Sequence, residues 1–352
     1  MLTPLDETLM HQAPLTFADT AVSDHRFFDR FVASASSPDG NVGVYLGMGL
    51  YKNMNVLDGF AAIHSHGKQH NLRFSRSLRP ELDTRLGPYR VEIVEPLQRI
   101  RYILDAGDHN GAFDLTFEGY LPAHEEDPHF MRMNGRVNTD YLRYNQIGHI
   151  SGVVSIDGQD HKADNWMAWR DRSWGVRPGV GGFEPGAGKG GAVPSAIRAQ
   201  GKGMVLIYIG VALPDVAGGV QIIEDGTGKR LYTTGHFGPV GAEQSAVVDA
   251  TYEITVFPGT RMFKHVTVHA TTTAGEAYDI EIEPVGRAWA NKGMGYESGF
   301  DDGQGHGAWR GAELLIERDT YDLSDVEAVG LPDGSVIKPV HREQSVKVTV
   351  NG

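Results

Sequence analysis

Phe113-Asp114-Leu115-Thr116-Phe117-Glu118 alternates apolar and polar side chains without a break. A period of two sends Phe113, Leu115 and Phe117 to one face and their neighbours to the other, as a half-buried antiparallel strand requires. The same alternation returns in Tyr278-Asp279-Ile280-Glu281-Ile282-Glu283 and across Ser345–Val350. Met204–Val211 and Ala246–Phe257 are more evenly apolar and read as strands covered on both faces. Pro38-Asp39-Gly40, Asn110-Gly111, Asp157-Gly158, Asp225-Gly226 and Pro332-Asp333-Gly334 separate such runs with residues that accept the positive φ of tight hairpins. One short helix is expected, Asp24–Val32, where Phe27, Phe28 and Phe31 follow a candidate N-cap at Asp24. The pattern predicts an all-β chain of antiparallel barrels or sandwiches with little helix.

Gly179–Pro194, GVGGFEPGAGKGGAVP, is too rich in glycine for regular structure and too poor in apolar residues to pack. It reads as a linker or an active-site loop between β domains at 1–178 and 195–352, each long enough for one barrel or sandwich of about eight strands. The 352 residues include 45 Gly and no Cys, which fits many tight turns and excludes disulfides, thiolate nucleophiles and iron–sulfur or zinc–cysteine sites. A formal charge of −13 lacks the electrostatic footprint of a nucleic-acid binder and is repelled by anionic membrane surfaces. The N-terminus has no basic stretch ahead of an apolar core, and no apolar run approaches the ~18 residues of a membrane span. A cytoplasmic protein with a small organic partner is expected; a homodimer stays open.

Familiar motifs fail on spacing. In Gly186-Ala187-Gly188-Lys189-Gly190, Phe183 stands where a phosphate loop needs its first glycine, and Gly190 where it needs Ser or Thr. Gly303-Gln304-Gly305-His306-Gly307-Ala308 fits a dinucleotide fingerprint but lacks the preceding buried strand. There is no Gly-x-Ser-x-Gly elbow and no His-Glu-x-x-His helix. Among 15 His, His64/His66 and His265/His269 have the even spacing of metal ligands on one strand face, yet no third ligand sits at a matching interval. No metal and no cofactor are expected, and His64 is kept as a candidate acid or base.

Trp166-Met167-Ala168-Trp169-Arg170-Asp171-Arg172-Ser173-Trp174 places three of the five Trp within nine residues, aromatic area suited to gripping an apolar ligand. As a strand it sets Trp169, Asp171 and Ser173 on one face and Arg170, Arg172 and Trp174 on the other. In a dry cavity Asp171 would keep its proton near neutral pH and donate it to an alkene, carbonyl or leaving hydroxyl. The rival structural role is an Asp171–Arg pair that pins strands. Glu297, Asp301, Asp302, His306 and Trp309, gathered in one glycine-rich run, supply candidates for the opposing base and pocket edge, and Tyr45 and Tyr51 supply hydroxyls.

Ala168-Trp169-Arg170-Asp171-Arg172-Ser173-Trp174-Gly175 resembles the aromatic-Asp-x-x-Trp-Gly signature of the carotenoid 1,2-hydratase and AttH-like superfamily. Arg79-Pro80, Gly87-Pro88, Val91–Arg101 and Phe113–Phe117 are similar to the N-terminal half of bacterial members of unassigned activity. The resemblance implies two lipocalin-like β domains in tandem, no cofactor, and a ligand cavity near their junction. It also implies that Asp171 matches the Asp proposed to protonate the alkene in the hydratases. Arg172 and Ser173 replace an uncharged residue and an Asn of the hydratase motif, which argues against carotenoid itself as substrate.

The combined expectation is a cofactor-independent lyase, hydratase or isomerase acting on a hydrophobic small molecule such as an isoprenoid or lignin-type aromatic. Asp171, Glu297, His306 and His64 are the candidate catalytic groups, and Trp169, Trp174, Arg170, Arg177, Tyr51 and Trp309 the candidate binding groups. A non-catalytic carrier of a lipophilic ligand is the alternative.

Overall fold

Asp157 and Gly158 take φ of 52° and 73°, the left-handed pair of a tight hairpin, and fold back the two longest strands of the protein on each other. The structure, a computed structural model, describes residues 1–133, 135–182, 204–325, 327–338 and 343–352. The expected glycine-rich connection at 179–194 lies outside the described residues beyond Gly182. Its strands are β1 Phe27–Ser36, β2 Val42–Tyr51, β3 Val56–Ser65, β4 Lys68–Ser77, β5 Arg85–Leu86, β6 Tyr89–Glu95, β7 Arg99–Leu104, β8 Ala112–Gly119, β9 His124–Glu125, β10 His129–Met133, β11 Arg136–Ile156 and β12 Gln159–Val176. They continue as β13 Met204–Ala212, β14 Val216–Asp225, β15 Arg230–Pro239, β16 Ser245–Val256, β17 Phe263–Thr272, β18 Ala277–Pro284, β19 Leu315–Asp322, β20 Val329–Gly330, β21 Val336–Ile337 and β22 Val346–Val350.

The protein is all-β, built from two antiparallel sheets. The larger runs β21-β20-β19-β4-β3-β2-β1-β12-β11-β8-β7-β6-β5, with β9 and β10 also on β11; the smaller runs β13-β14-β15-β16-β17-β18-β22. The strands do not divide at the glycine-rich segment: β19 from the C-terminal half pairs with β4 along its whole length, Leu315 opposite Ser75 through Asp322 opposite Lys68.

Strand parity organises the larger sheet. Ala33, Leu46, Leu57, Ala61, Leu72, Phe74 and Ala168 point to one face, where the sheet curls over them and closes a core with Tyr102, Phe113, Leu115 and Phe117. Paired residues of an antiparallel ladder share a face. The row Asn145–Asp171–Val32–Gly47–Phe60–Arg73–Glu317 therefore belongs to the opposite side. That side carries Arg30, Tyr45, Tyr51, Asp58, Asn71, Asn145, Asp171 and Ser173, all buried. They are buried because the chain's second half covers them: Trp289, Met294 and Tyr296 pack on Val32, Tyr45 and Phe60, and Tyr208 of β13 meets Trp169 edge to face at 5.3 Å. Burying so many polar groups is costly unless they are satisfied or used.

Two local expectations fail. Asp24–Val32 is not a helix: the Asp24 carboxylate accepts the Arg26 amide at 2.8 Å in a turn, and Phe27 opens β1. The period that decides is two, with Phe28, Arg30 and Val32 buried in alternation. Met204–Val211 and Ala246–Phe257 are strands but not covered on both faces, since Met204, Leu206, Val248, Ile254 and Val256 are exposed. The fully covered strand is β3, whose ten residues are all buried.

Candidate active site

Trp169, Asp171 and Ser173 share the covered polar face, whereas Arg170, Arg172 and Trp174 point away. Gly175, which ends this run, is held at φ 139° against β11; a Cβ there would lie 2.3 Å from the Asp140 carbonyl oxygen, so no larger residue fits. Asp171 is 8% exposed, and its Oδ1 is buried without a hydrogen-bond partner. Burial raises its carboxyl above the ordinary 3.8, against the lowering fields of Arg143, Arg30 and Arg177; the negative charge of Glu126 assists burial.

Arg30, from the apolar-looking run Phe27–Ser36, is 4% exposed, and its Nε and Nη1 have no partner. Its guanidinium lies 5.4 Å from the Phe28 ring and 5.2 Å from the Tyr296 ring. Arg177 also approaches the Phe28 ring, at 5.8 Å, and burial together with the Arg30 charge holds its guanidinium below the usual value. The Tyr51 hydroxyl is buried and likewise without a partner. Asp171, Tyr51 and Tyr296 thus share one electrostatic neighbourhood, each feeling the charges of Arg30 and Arg177.

A second carboxylate shows what full satisfaction looks like. Glu126 has no exposed side chain. It accepts from Arg143 Nη2 at 2.6 Å, Asn145 Nδ2 at 2.9 Å and Tyr208 Oη at 2.6 Å, with His129 Nε2 at 3.2 Å. Burial raises its carboxyl, but His129 and Arg143 outweigh it and bring it to about 2. Arg143 also donates to Gln221 of β14 at 2.7 Å, so this cluster bolts the smaller sheet to the larger. Two neighbouring acids with opposite shifts, one starved of donors and one saturated, are the pattern of a proton donor beside a fixed anion.

The remaining candidates scatter. His306 is 3% exposed; it lies 5.1 Å from the Tyr296 ring, and burial with the charges of Arg30, Arg310 and Arg177 holds it at about 3. Its Nε2 is 2.8 Å from the Met294 carbonyl, which makes that nitrogen the N–H donor. His64 lies on the same sheet face but farther along β3, lining a cavity of about 350 Å³ with Asn41, His66 and Arg287, and burial lowers it to about 4. Arg170 points into the first core, donating to Gln146 at 2.9 and 2.5 Å over the Phe117 ring. Trp174 is exposed at 38% and Trp309 at 47%, and Glu297 stands on an exposed turn with φ 54°. None of these four faces Asp171. Asp302 pairs with Arg310 at 3.0 Å and Asp301 approaches Arg73 at 3.5 Å.

His66 sits in the β3–β4 turn rather than on the strand with His64. His265 pairs with Glu281 and His269 with Asp279, across to β18. Among the described residues no group of three or more His, Asp or Glu is arranged to hold a metal ion. None of the described helices is long and apolar enough to cross a membrane.

Sequence reasoning missed Arg30, Glu126, Arg143 and Asp58. Asp58 is fully buried, accepts the Gly307 amide at 2.6 Å and Arg310 Nη1 at 3.3 Å, and is raised by burial to about 6. For Asp58 a signal existed: it is a lone acidic residue within the apolar strand β3.

A family model matches residues 2–348. The chain belongs to the family of unknown function DUF8625. No curated protein matches this DUF8625 chain in sequence. Among solved structures, a Nitrosomonas europaea protein provisionally described as AttH superposes with a TM-score of 0.51 at 15% identity, covering 77% of this chain and 84% of that one. Kievitone hydratase of Nectria haematococca reaches a TM-score of 0.47 at 12% identity, covering 73% and 76%. The first likeness is one of fold: the DUF8625 chain has the AttH-like, lipocalin-like all-β architecture.

Proposed function

We propose that the protein is a cofactor-independent lyase of the hydratase or dehydratase kind, or an isomerase, that moves a proton with Asp171 on a hydrophobic small molecule. The observation that carries this reading is the buried Asp171 Oδ1 without a partner, on the covered face where the two sheets meet. A purely structural aspartate in that position would be expected to be saturated as Glu126 is. Burial favours the neutral acid, which donates a proton to a substrate carbon or leaving hydroxyl and takes one back to complete the cycle. Trp169, Tyr45 and Tyr296 provide the apolar walls. Tyr51, Arg177 and His306 border the same neighbourhood, His306 as a neutral imidazole.

The alternative of a carrier makes a different prediction for one variant. A ligand captured from cell extract and identified by mass spectrometry would be incubated with wild type and Asp171→Asn. Loss of turnover by 100-fold or more, with ligand affinity kept within a few-fold, supports catalysis. A ligand recovered unchanged from both proteins supports the carrier.

A further inference from the structure

Arg30, which is buried, and Arg177, which is half-buried, differ from the other arginines on or beneath the larger sheet. Arg73 pairs with Asp319 at 3.0 Å, Arg143 with Glu126, Arg172 with Asp29 and Arg310 with Asp58 at 3.3 Å, while Arg170 is satisfied by Gln146. Among the described residues neither Arg30 nor Arg177 forms an ion pair with a carboxylate, and the Nε and Nη1 of Arg30 have no hydrogen-bond partner. The nearby acid, Asp171, is itself pushed toward neutrality. A buried guanidinium and a half-buried one held close together without a paired carboxylate repel each other, and the state that relieves the repulsion has an anion beside both.

We infer that Arg30 and Arg177, with the Tyr51 hydroxyl, seat an oxyanion of the ligand: the partner is an apolar molecule that carries or develops negative charge on oxygen, an aromatic carboxylate, a phenolate or the enolate of a conjugated ketone. A plain isoprenoid double bond fits poorly, because protonating it creates a carbocation beside two guanidinium groups. The inference deepens the proton-transfer reading in what it says of the reaction; in what it says of binding it stands alone.

In an enone the chemistry closes with water alone. Water oxygen bonds to the β-carbon, and the displaced electron pair moves through the alkene to the carbonyl oxygen, where Arg30 and Arg177 hold the enolate. Re-forming the carbonyl returns the pair to the α-carbon, which takes the Asp171 proton. The Asp171 carboxylate then removes the extra proton from the added water.

Binding of 2-naphthoate and benzoate, and of the neutral 2-naphthamide and benzamide, is measured by tryptophan fluorescence and calorimetry on wild type, Arg30→Met, Arg177→Met and Asp171→Asn, with inorganic phosphate as a separate arm. We expect wild type to prefer each carboxylate over its amide by at least tenfold. The preference falls to within about twofold in both Met variants and persists in Asp171→Asn. Equal affinity of acid and amide for wild type, or a preference that survives both Met variants, overturns the oxyanion seat. Phosphate binding as tightly as naphthoate overturns the apolar body. If a Met variant fails to fold, the acid-to-amide ratio on wild type and on the other variant still decides. Failure of Asp171→Asn to lose turnover would refute proton transfer and leave this seat untouched.

Discussion

Replacing Glu126 by Gln removes one charge from the cluster that joins the two sheets while keeping its volume. The carboxyl sits at about 2 in the fold against an ordinary 4.5. At about 1.4 kcal/mol per pH unit, that difference is about 3 kcal/mol of stability at neutral pH. Stripping one partner from a buried ion pair costs a similar ~3–5 kcal/mol, because Arg143 keeps amide acceptors but loses the carboxylate it is paired with. The sign follows from the lowered carboxyl: the contribution is complete above pH 4.5 and is lost as pH falls toward 2. Urea unfolding of wild type and Glu126→Gln, followed by circular dichroism, should differ by about 3 kcal/mol at pH 7, narrowing to about 2 kcal/mol at pH 3.5. A difference under ~1 kcal/mol at pH 7, or one that does not narrow with acid, would refute the account of Glu126 as the satisfied anion. The same variant has a second readout: Glu126 helps raise Asp171, so the alkaline limb of the rate profile should move to lower pH.

Three buried histidines make the protein acid-sensitive by a separate route. His64, His236 and His306 are held at about 4, about 3 and about 3 against 6.5, chiefly by burial, so each stays neutral in the fold and takes a proton on unfolding. Their contribution is complete above pH 6.5 and declines below it, by about 2 kcal/mol each at pH 5; an unchanged urea midpoint between pH 7 and pH 5 would contradict it. His236→Gln should lessen this loss, since its ring stacks on His124 at 3.7 Å and cannot share a second charge there. Gly175→Ala should cost about 2–4 kcal/mol, from the left-handed strain and the backbone clash with Asp140 and Tyr141. Gly330→Ala, with open space around it, serves as the near-neutral control in the same thermal scan.

Alternation carried most of what was legible. Phe113–Glu118 and Tyr278–Glu283 are strands as their period requires, and parity within Trp169–Trp174 put Trp169, Asp171 and Ser173 on one face. Pairing across long stretches of chain was not legible, and the site depends on it. Arg30 comes beside Asp171 because Val32 opposes Asp171 in the ladder, a register set by burial on both faces of β1 and not by any local pattern. Arg170 and Arg172, the cations adjacent in sequence, turn away, while Arg30, Arg143 and Arg177 supply the field. Glu297 and Trp309 shared a glycine-rich run with His306, but the chain there turns out to solvent at both of them and inward at His306. Asp24–Val32 failed because three Phe suggested a helix face where the alternating charge at Arg30 marked a strand.

The pairing of β19 with β4 joins Asn71 to Asp319 across 248 residues of chain. During synthesis, β4 waits as a bare ladder rim until Leu315–Asp322 leaves the ribosome. Fragments cut near the middle should therefore fail as two soluble pieces: the early one keeps an open rim that invites self-association, and the late one lacks its template.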